Sequence, residues 1–79
     1  MIKIYFTFGS DPRYPFGIND YVVAHGIDVS DCLRKFREKY PNPRPDHERI
    51  LNCAFFYTET KFKKECAKYY GPEPAEVIE

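Results

Sequence analysis

Residues 2–8, IKIYFTF, decide the fold, because apolar and polar side chains alternate along them without a break. One side of the extended chain carries Ile2, Ile4, Phe6 and Phe8. This period of two predicts a β-strand with one strongly apolar face. A second strand is predicted from Asp20 to about His25, and the proline- and glycine-rich residues 9–19 connect the two.

The period changes to about 3.6 residues over residues 29–40, where an apolar stripe runs between charged faces. Asp28 is a suitable N-cap for this helix, and Pro41 ends it. Residues 50–58 are almost continuously apolar and predict a third strand. A second helix is predicted to follow Thr58 or Thr60, with its own apolar side chains directed inward.

The predicted order is β-β-α-β-α. It indicates an α+β fold: a small three-stranded, mainly antiparallel sheet with two helices packed on one face. Strand order 2-1-3 is favoured because it places the first strand in the centre, and order 1-2-3 remains an alternative. The face of strand 50–58 that meets the helices is also left open. Residues 1–71 are predicted to form one compact domain, followed by an acidic, extended tail over 72–79. Fraying is expected for this tail, and docking of Val77 and Ile78 on the domain is the alternative.

Composition excludes several functions. Twelve basic residues balance twelve acidic ones among 79 residues, so the chain lacks the field of a general nucleic-acid binder. Its three cysteines form no CxxC pair, which indicates reduced thiols and a cytoplasmic location. No apolar run approaches the roughly 20 residues that span a bilayer. We expect no membrane insertion and no bound cofactor.

Catalytic and metal-binding motifs are weak. Cys53 and His25 lie on predicted strands and are the one nucleophile-base pair to consider, but nothing near Cys53 would lower the pKa of its thiol. Residues 46–48, DHE, offer three ligand types, yet consecutive residues of an extended chain point in different directions. We therefore predict that the protein is not an enzyme and holds no metal.

A surplus of aromatic residues indicates binding instead. Seven Phe and seven Tyr are more than two short helices cover, and aromatic and arginine side chains commonly anchor interfaces. The residues expected to bind a protein partner are Arg13, Tyr14, Phe16, Tyr5 and Tyr21. The first three lie in the connecting loop and the two others on a helix-free sheet face. In the alternative interpretation Tyr14 and Phe16 fold inward and plug the end of the core, and a homodimer is a further way to bury the surplus.

Direct nucleic-acid binding is the second hypothesis. It depends on a basic surface along helix 29–40 and just beyond it, formed by Arg34, Lys35, Arg37, Lys39 and Arg44. A lysine- and arginine-rich helix face is more often simply solvated, and the net charge of zero gives no support.

Several segments together, KIYFTFGSDP, PFG, DYV, LNCAFFYTE and YYGPEPAEVI, resemble short uncharacterised proteins of phages and mobile elements of gut Firmicutes. The likeness covers nearly the whole chain but implies no site residue, since that group has no assigned activity. It implies a context in which small non-catalytic proteins bind and block host proteins, including CRISPR effectors and other bacterial defence or nucleic-acid enzymes.

Overall fold

The fold is known from a computed structural model, which describes residues 1–8, 19–41 and 55–79. Within these ranges the strands are β1 (Ile2–Thr7), β2 (Tyr21–Gly26), β3 (Phe55–Thr58) and β4 (Glu76–Ile78). The helices are α1 (Val29–Lys39) and α2 (Glu59–Glu65), and a 3₁₀ turn, Ala67–Tyr69, follows α2. The chain is thus α+β, as the sequence predicts, with one more strand than expected.

The four strands form one mixed sheet in the order β3-β1-β2-β4. β1 pairs antiparallel with β2 on one side and with β3 on the other. This confirms the favoured order 2-1-3 for the first three strands. Tyr5 lies in the centre of the sheet, opposite Val23 of β2 and Tyr57 of β3.

One face of the sheet packs against α1. Ile4, Phe6, Val22 and Ala24 alternate onto this face, and they form a buried cluster with residues of α1. The Phe36 ring stacks on the Phe6 ring with centroids 4.1 Å apart. The helix begins as predicted, because the Asp28 carboxylate accepts a hydrogen bond from the Asp31 backbone N–H at 2.8 Å.

The opposite face packs against α2, so the prediction that both helices share one face is wrong. Tyr5, Tyr21, Val23 and Phe62 form a second buried cluster there. The β2 sequence YVVA is apolar at every position, and both of its faces therefore need cover. One helix on each face provides it. The prediction of a helix-free sheet face that exposes Tyr5 and Tyr21 is therefore wrong as well.

The C-terminal segment is extended, as predicted, but it does not fray. β4 pairs parallel with β2, Val77 lying opposite Val23 and Ile78 opposite Ala24. The Ala75 N–H donates to the Tyr21 carbonyl oxygen at 2.8 Å just before the strand begins. Successive residues of β4 face opposite sides: Ile78 packs against the α1 cluster, whereas Val77 faces the α2 side.

β3 lies beside β1 and is only partly covered. Tyr57 packs against the α2 cluster, which settles the face of this strand that meets a helix. Phe55 and Phe56 are 54% and 45% exposed, so the two helices leave both rings largely uncovered. α1 lies over β1 and β2 rather than over β3.

Candidate functional site

An open cleft of about 640 Å³ lies on the α2 face of the sheet. Its floor is the part of β2 and β4 that α2 leaves uncovered. α2 supplies one wall through Phe62 and Lys63, and the segment between the 3₁₀ turn and β4 supplies the other through Pro72 and Pro74. The volume falls within the range of about 300–1,000 Å³ that is usual for ligand-binding clefts.

The inner surface of the cleft is a group of stacked rings. Tyr5 stacks on Phe62 with centroids 4.5 Å apart, and on Tyr21 with centroids 5.8 Å apart. Tyr70 meets Tyr21 edge to face at 5.8 Å and closes the group near the C-terminal segment. Because these rings hold one another by packing, the cleft has a rigid aromatic wall.

Two tyrosine hydroxyls fix the walls of the cleft to the sheet. The Tyr5 hydroxyl donates to the Glu59 carboxylate at 3.3 Å, and the Tyr21 hydroxyl donates to the Pro72 carbonyl oxygen at 3.3 Å. Burial raises the pKa of both hydroxyls above the ordinary value of 10.0. They therefore stay protonated at neutral pH and act as hydrogen-bond donors.

Apart from the tyrosines, the titratable side chains that line the cleft are all basic, namely Lys3, His25 and Lys63. The two ammonium groups share one carboxylate, since Glu59 Oε2 lies 3.5 Å from Lys3 Nζ and 3.1 Å from Lys63 Nζ. The hydrogen bond from Lys63 holds the pKa of Glu59 below its usual value of 4.5. Two positive charges against one negative charge leave the α2 side of the cleft with a net positive charge.

His25 lies opposite Lys3 in the sheet. Its Nδ1 is buried and has no hydrogen-bond partner within the described ranges. The Glu79 carboxylate is 3.9 Å from this nitrogen, which is beyond hydrogen-bond length. A polar atom buried without a partner costs about 1–3 kcal/mol. The His25 backbone, in contrast, is held firmly, because its carbonyl oxygen accepts from Lys35 Nζ at 2.9 Å.

The structure places the predicted partner-binding residues Tyr5 and Tyr21 inside the molecule, 8% and 6% exposed. They line the cleft as part of its inner surface and are not protruding anchors. The other three, Arg13, Tyr14 and Phe16, lie outside the described residues, and so does the choice between anchor and plug for Tyr14 and Phe16.

The basic surface of α1 is largely neutralised by neighbouring carboxylates. Arg34 pairs with Asp31 at 2.7 Å and also with Glu38. Lys35 lies 3.6 Å from Asp31. Of the other residues proposed for nucleic-acid binding, Lys39 pairs with Glu76, Arg37 is exposed in the last turn of α1, and Arg44 lies outside the described residues.

Nucleophilic and metal chemistry find little support within the described ranges. Cys32 is fully buried, and burial raises the pKa of its thiol, which is the opposite of activation. No group of three His, Cys, Asp or Glu side chains that could hold a metal ion occurs in residues 1–8, 19–41 and 55–79. Cys53 and residues 46–48 fall outside those ranges. No helix in the described part of the chain is long and apolar enough to cross a bilayer.

Sequence reasoning missed the cleft walls, namely Phe62, Lys63, Pro72, Pro74 and Val77. The inward direction expected of the apolar side chains of the second helix is confirmed for Phe62 but wrong for Tyr69, which is 65% exposed, and the helix lies on the other face of the sheet. The uninterrupted apolar run in β2 is the signal that pointed to this face. No protein-family model, curated protein or solved structure matches the chain.

Proposed function

We propose that this chain is a small non-catalytic protein-binding module, and that it receives a segment of its partner in the aromatic cleft. The observation that carries the proposal is the cleft itself: an open groove with a rigid wall of stacked Tyr and Phe rings. Stacked rings lose little conformational entropy when a partner binds, because packing has already fixed them. Tyr and Phe are also residue types on which protein interfaces depend.

The chemistry of the cleft supports binding rather than catalysis. Its tyrosine hydroxyls are protonated donors already engaged with Glu59 and Pro72. Its lysines are held by a carboxylate, and burial raises the pKa of Tyr5 and Tyr21 away from the range useful to a general base. These features orient and hold a ligand without activating a nucleophile.

The resemblance to phage and mobile-element proteins suggests the kind of partner. In that context the partner is a host protein, and the module inhibits it, with a bacterial defence enzyme such as a CRISPR effector, or another nucleic-acid enzyme, as the target. This part of the proposal depends on the context and not on any residue of the cleft.

Site-specific photocrosslinking tests the proposal. A photoreactive phenylalanine at Ala67, which lines the cleft, should crosslink a discrete host protein from a native-host lysate. The same group at Ala75, an exposed residue that does not line the cleft, is the matched control. Equal crosslinking from the two positions, or none from Ala67, contradicts a binding role for the cleft. A partner that is recovered and identified is then assayed with and without the module, and unchanged activity contradicts the inhibitor role.

Two further measurements separate the alternatives. Sedimentation of the pure protein between about 1 and 100 μM shows whether the chain forms a homodimer, in which case a second copy is a candidate for the cleft in place of a foreign partner. Titration with single-stranded and duplex DNA and RNA at low salt tests the basic surface of α1. We expect no binding there, since Arg34, Lys35 and Lys39 are paired with carboxylates. Binding that weakens steeply with salt would favour the nucleic-acid hypothesis.

A further inference from the structure

Charged side chains are distributed unevenly between the two sides of the cleft. The excess positive charge lies on the α2 side, where Lys3 and Lys63 share the Glu59 carboxylate. On the other side, Glu73 lies between the cleft-lining residues Pro72 and Pro74, and Glu79 follows β4. Glu73 acts on the Tyr21 hydroxyl strongly enough to contribute to its raised pKa. Neither glutamate is among the residues that line the cleft, so the charged groups that a bound segment meets directly are the two lysines on the α2 side.

The two lysines are accessible to a partner. The Lys63 side chain is 64% exposed and that of Lys3 is 44% exposed, and both line the cleft. Neither ammonium group is fixed to its carboxylate by a fork of two parallel hydrogen bonds, as an arginine would be. A second carboxylate can thus join them without breaking the contacts that Glu59 makes.

An occupant of the cleft needs an apolar group as well as a charged one, because part of the lining is apolar. Phe62, Val23 and Val77 are apolar residues that line the same cleft as the two lysines. Val77 is 43% exposed on the edge strand β4, and it faces the cleft. An occupant that carries an apolar side chain beside a carboxylate would cover Val77 and meet Lys63 at the same time.

From this charge distribution we infer that the partner segment is an acidic peptide, with an aromatic or aliphatic residue set beside aspartate or glutamate. This inference depends on the proposed function, since it specifies the chemistry of the partner of that same cleft. The peptide carboxylate lies against Lys63 and Lys3, and the apolar residue lies over Val23 and Val77. Glu59 lowers the affinity, because its negative charge offsets part of the positive charge of the two ammonium groups and repels the peptide carboxylate.

A binding titration with defined probes tests the inference. Fluorescein-labelled Glu-Glu-Phe-Glu-Glu and its glutamine analogue Gln-Gln-Phe-Gln-Gln are compared by fluorescence anisotropy. We expect the glutamate peptide to bind at least about tenfold more tightly, and its affinity to fall as salt is raised. Equal affinity of the two peptides overturns the inference, and so does absence of binding by the glutamate peptide up to millimolar concentration.

Three variants test the inference further, because they are expected to weaken, preserve and strengthen binding of the glutamate peptide. Lys63→Met should weaken binding of the glutamate peptide about tenfold, whereas Lys64→Met, in the same helix but outside the cleft lining, should leave it unchanged. Glu59→Gln should strengthen binding, because it releases both ammonium groups while its amide oxygen can still accept from the Tyr5 hydroxyl. Weaker binding of the glutamate peptide by Glu59→Gln contradicts the inferred role of the lysine pair. An equal loss of affinity in Lys63→Met and Lys64→Met contradicts it as well.

Failure of the inference is distinguishable from failure of the proposed function. If the peptides bind equally while Ala67 still crosslinks a host protein that Ala75 does not, the cleft binds a protein whose segment is not acidic. If Ala67 crosslinks nothing, the proposed function fails as well. Circular dichroism of each variant confirms that it is folded.

Discussion

The Phe62 ring of α2 stacks on the Tyr5 ring of β1, with centroids 4.5 Å apart and the ring planes inclined by 24°. Phe62 also lies 4.9 Å from the Tyr21 ring and 5.5 Å from the Tyr70 ring. One side chain thus joins α2, the sheet and the C-terminal segment. The cover of this sheet face and the shape of the cleft both depend on it.

Replacing Phe62 with alanine should lower the free energy of unfolding by about 3–5 kcal/mol, since it removes a buried ring and leaves a cavity among three others. Urea denaturation followed by circular dichroism measures the change. Lys64→Ala, at an exposed position of the same helix, should change stability by less than about 0.5 kcal/mol. Similar values for the two variants would mean that α2 does not pack on this face in solution.

Gly26 is a second position where the fold allows little change. A Cβ atom there would lie 2.8 Å from the Asp31 carboxylate and 2.8 Å from the Cys32 sulfur. The carboxylate cannot simply withdraw, since it accepts from the Ile27 N–H at 3.1 Å. Gly26→Ala should therefore cost about 1–3 kcal/mol in a thermal or urea melt.

Gly71 provides the matched control for that substitution, because a Cβ atom there meets nothing within 4 Å. Gly71→Ala should be neutral or should stabilise the protein by up to about 1 kcal/mol, through the reduced entropy of the unfolded chain. Equal destabilisation by the two alanines would show that the close approach of α1 to β2 at Gly26 does not determine the effect.

Acid should weaken the start of α1. A hydrogen bond from Arg34, followed by one from the Ile27 N–H, holds the pKa of Asp31 below its ordinary value of 3.8. A carboxyl group with a lowered folded-state pKa stabilises the fold above its unfolded pKa, and that contribution disappears as the pH falls through the folded-state value. Asp31→Asn should therefore be less stable than the wild type at pH 7, and the difference should shrink below about pH 4.

Urea melts of the two proteins between pH 7 and pH 2.5 measure this difference. The Glu59 carboxylate, whose pKa is also lowered, is present in both proteins and so cancels in the comparison. A stability difference that stays constant over the whole pH range would show that the charge of Asp31 does not stabilise this helix start.

Local patterns predicted most of the elements, and they did so where one physical preference dominates. The strict alternation from Ile2 to Phe8 gave β1, and Asp28 and Thr58 cap the two helices as expected. The prediction that both helices share one sheet face failed. An amphipathic pattern shows which side of a helix is buried, but it does not show which face of the sheet covers that side. The apolar residues of β2 on both faces, Tyr21 with Val23 and Val22 with Ala24, contained that information.

The cleft was harder to predict, since its walls come from segments with weak local signals. β4 has only three residues, too few to show a period of two above the acidic composition around it. Lys63 appears in sequence as one of several lysines on a surface helix. Its distinction is tertiary: it pairs with Glu59 at the same carboxylate oxygen to which the Tyr5 hydroxyl donates, and it lines the cleft.

β4 places adjacent residues on opposite sides of the sheet. Ile78 packs against the α1 cluster, whereas Val77 faces the cleft. Ile78→Asp places a carboxylate against apolar side chains and should lower the free energy of unfolding by about 1–3 kcal/mol. Val77→Asp introduces the same residue into the same strand but leaves its charge in contact with water, so its cost should be smaller by at least about 1 kcal/mol. A frayed segment would make both substitutions equally harmless, and urea melts of the two variants therefore determine whether β4 is paired in solution.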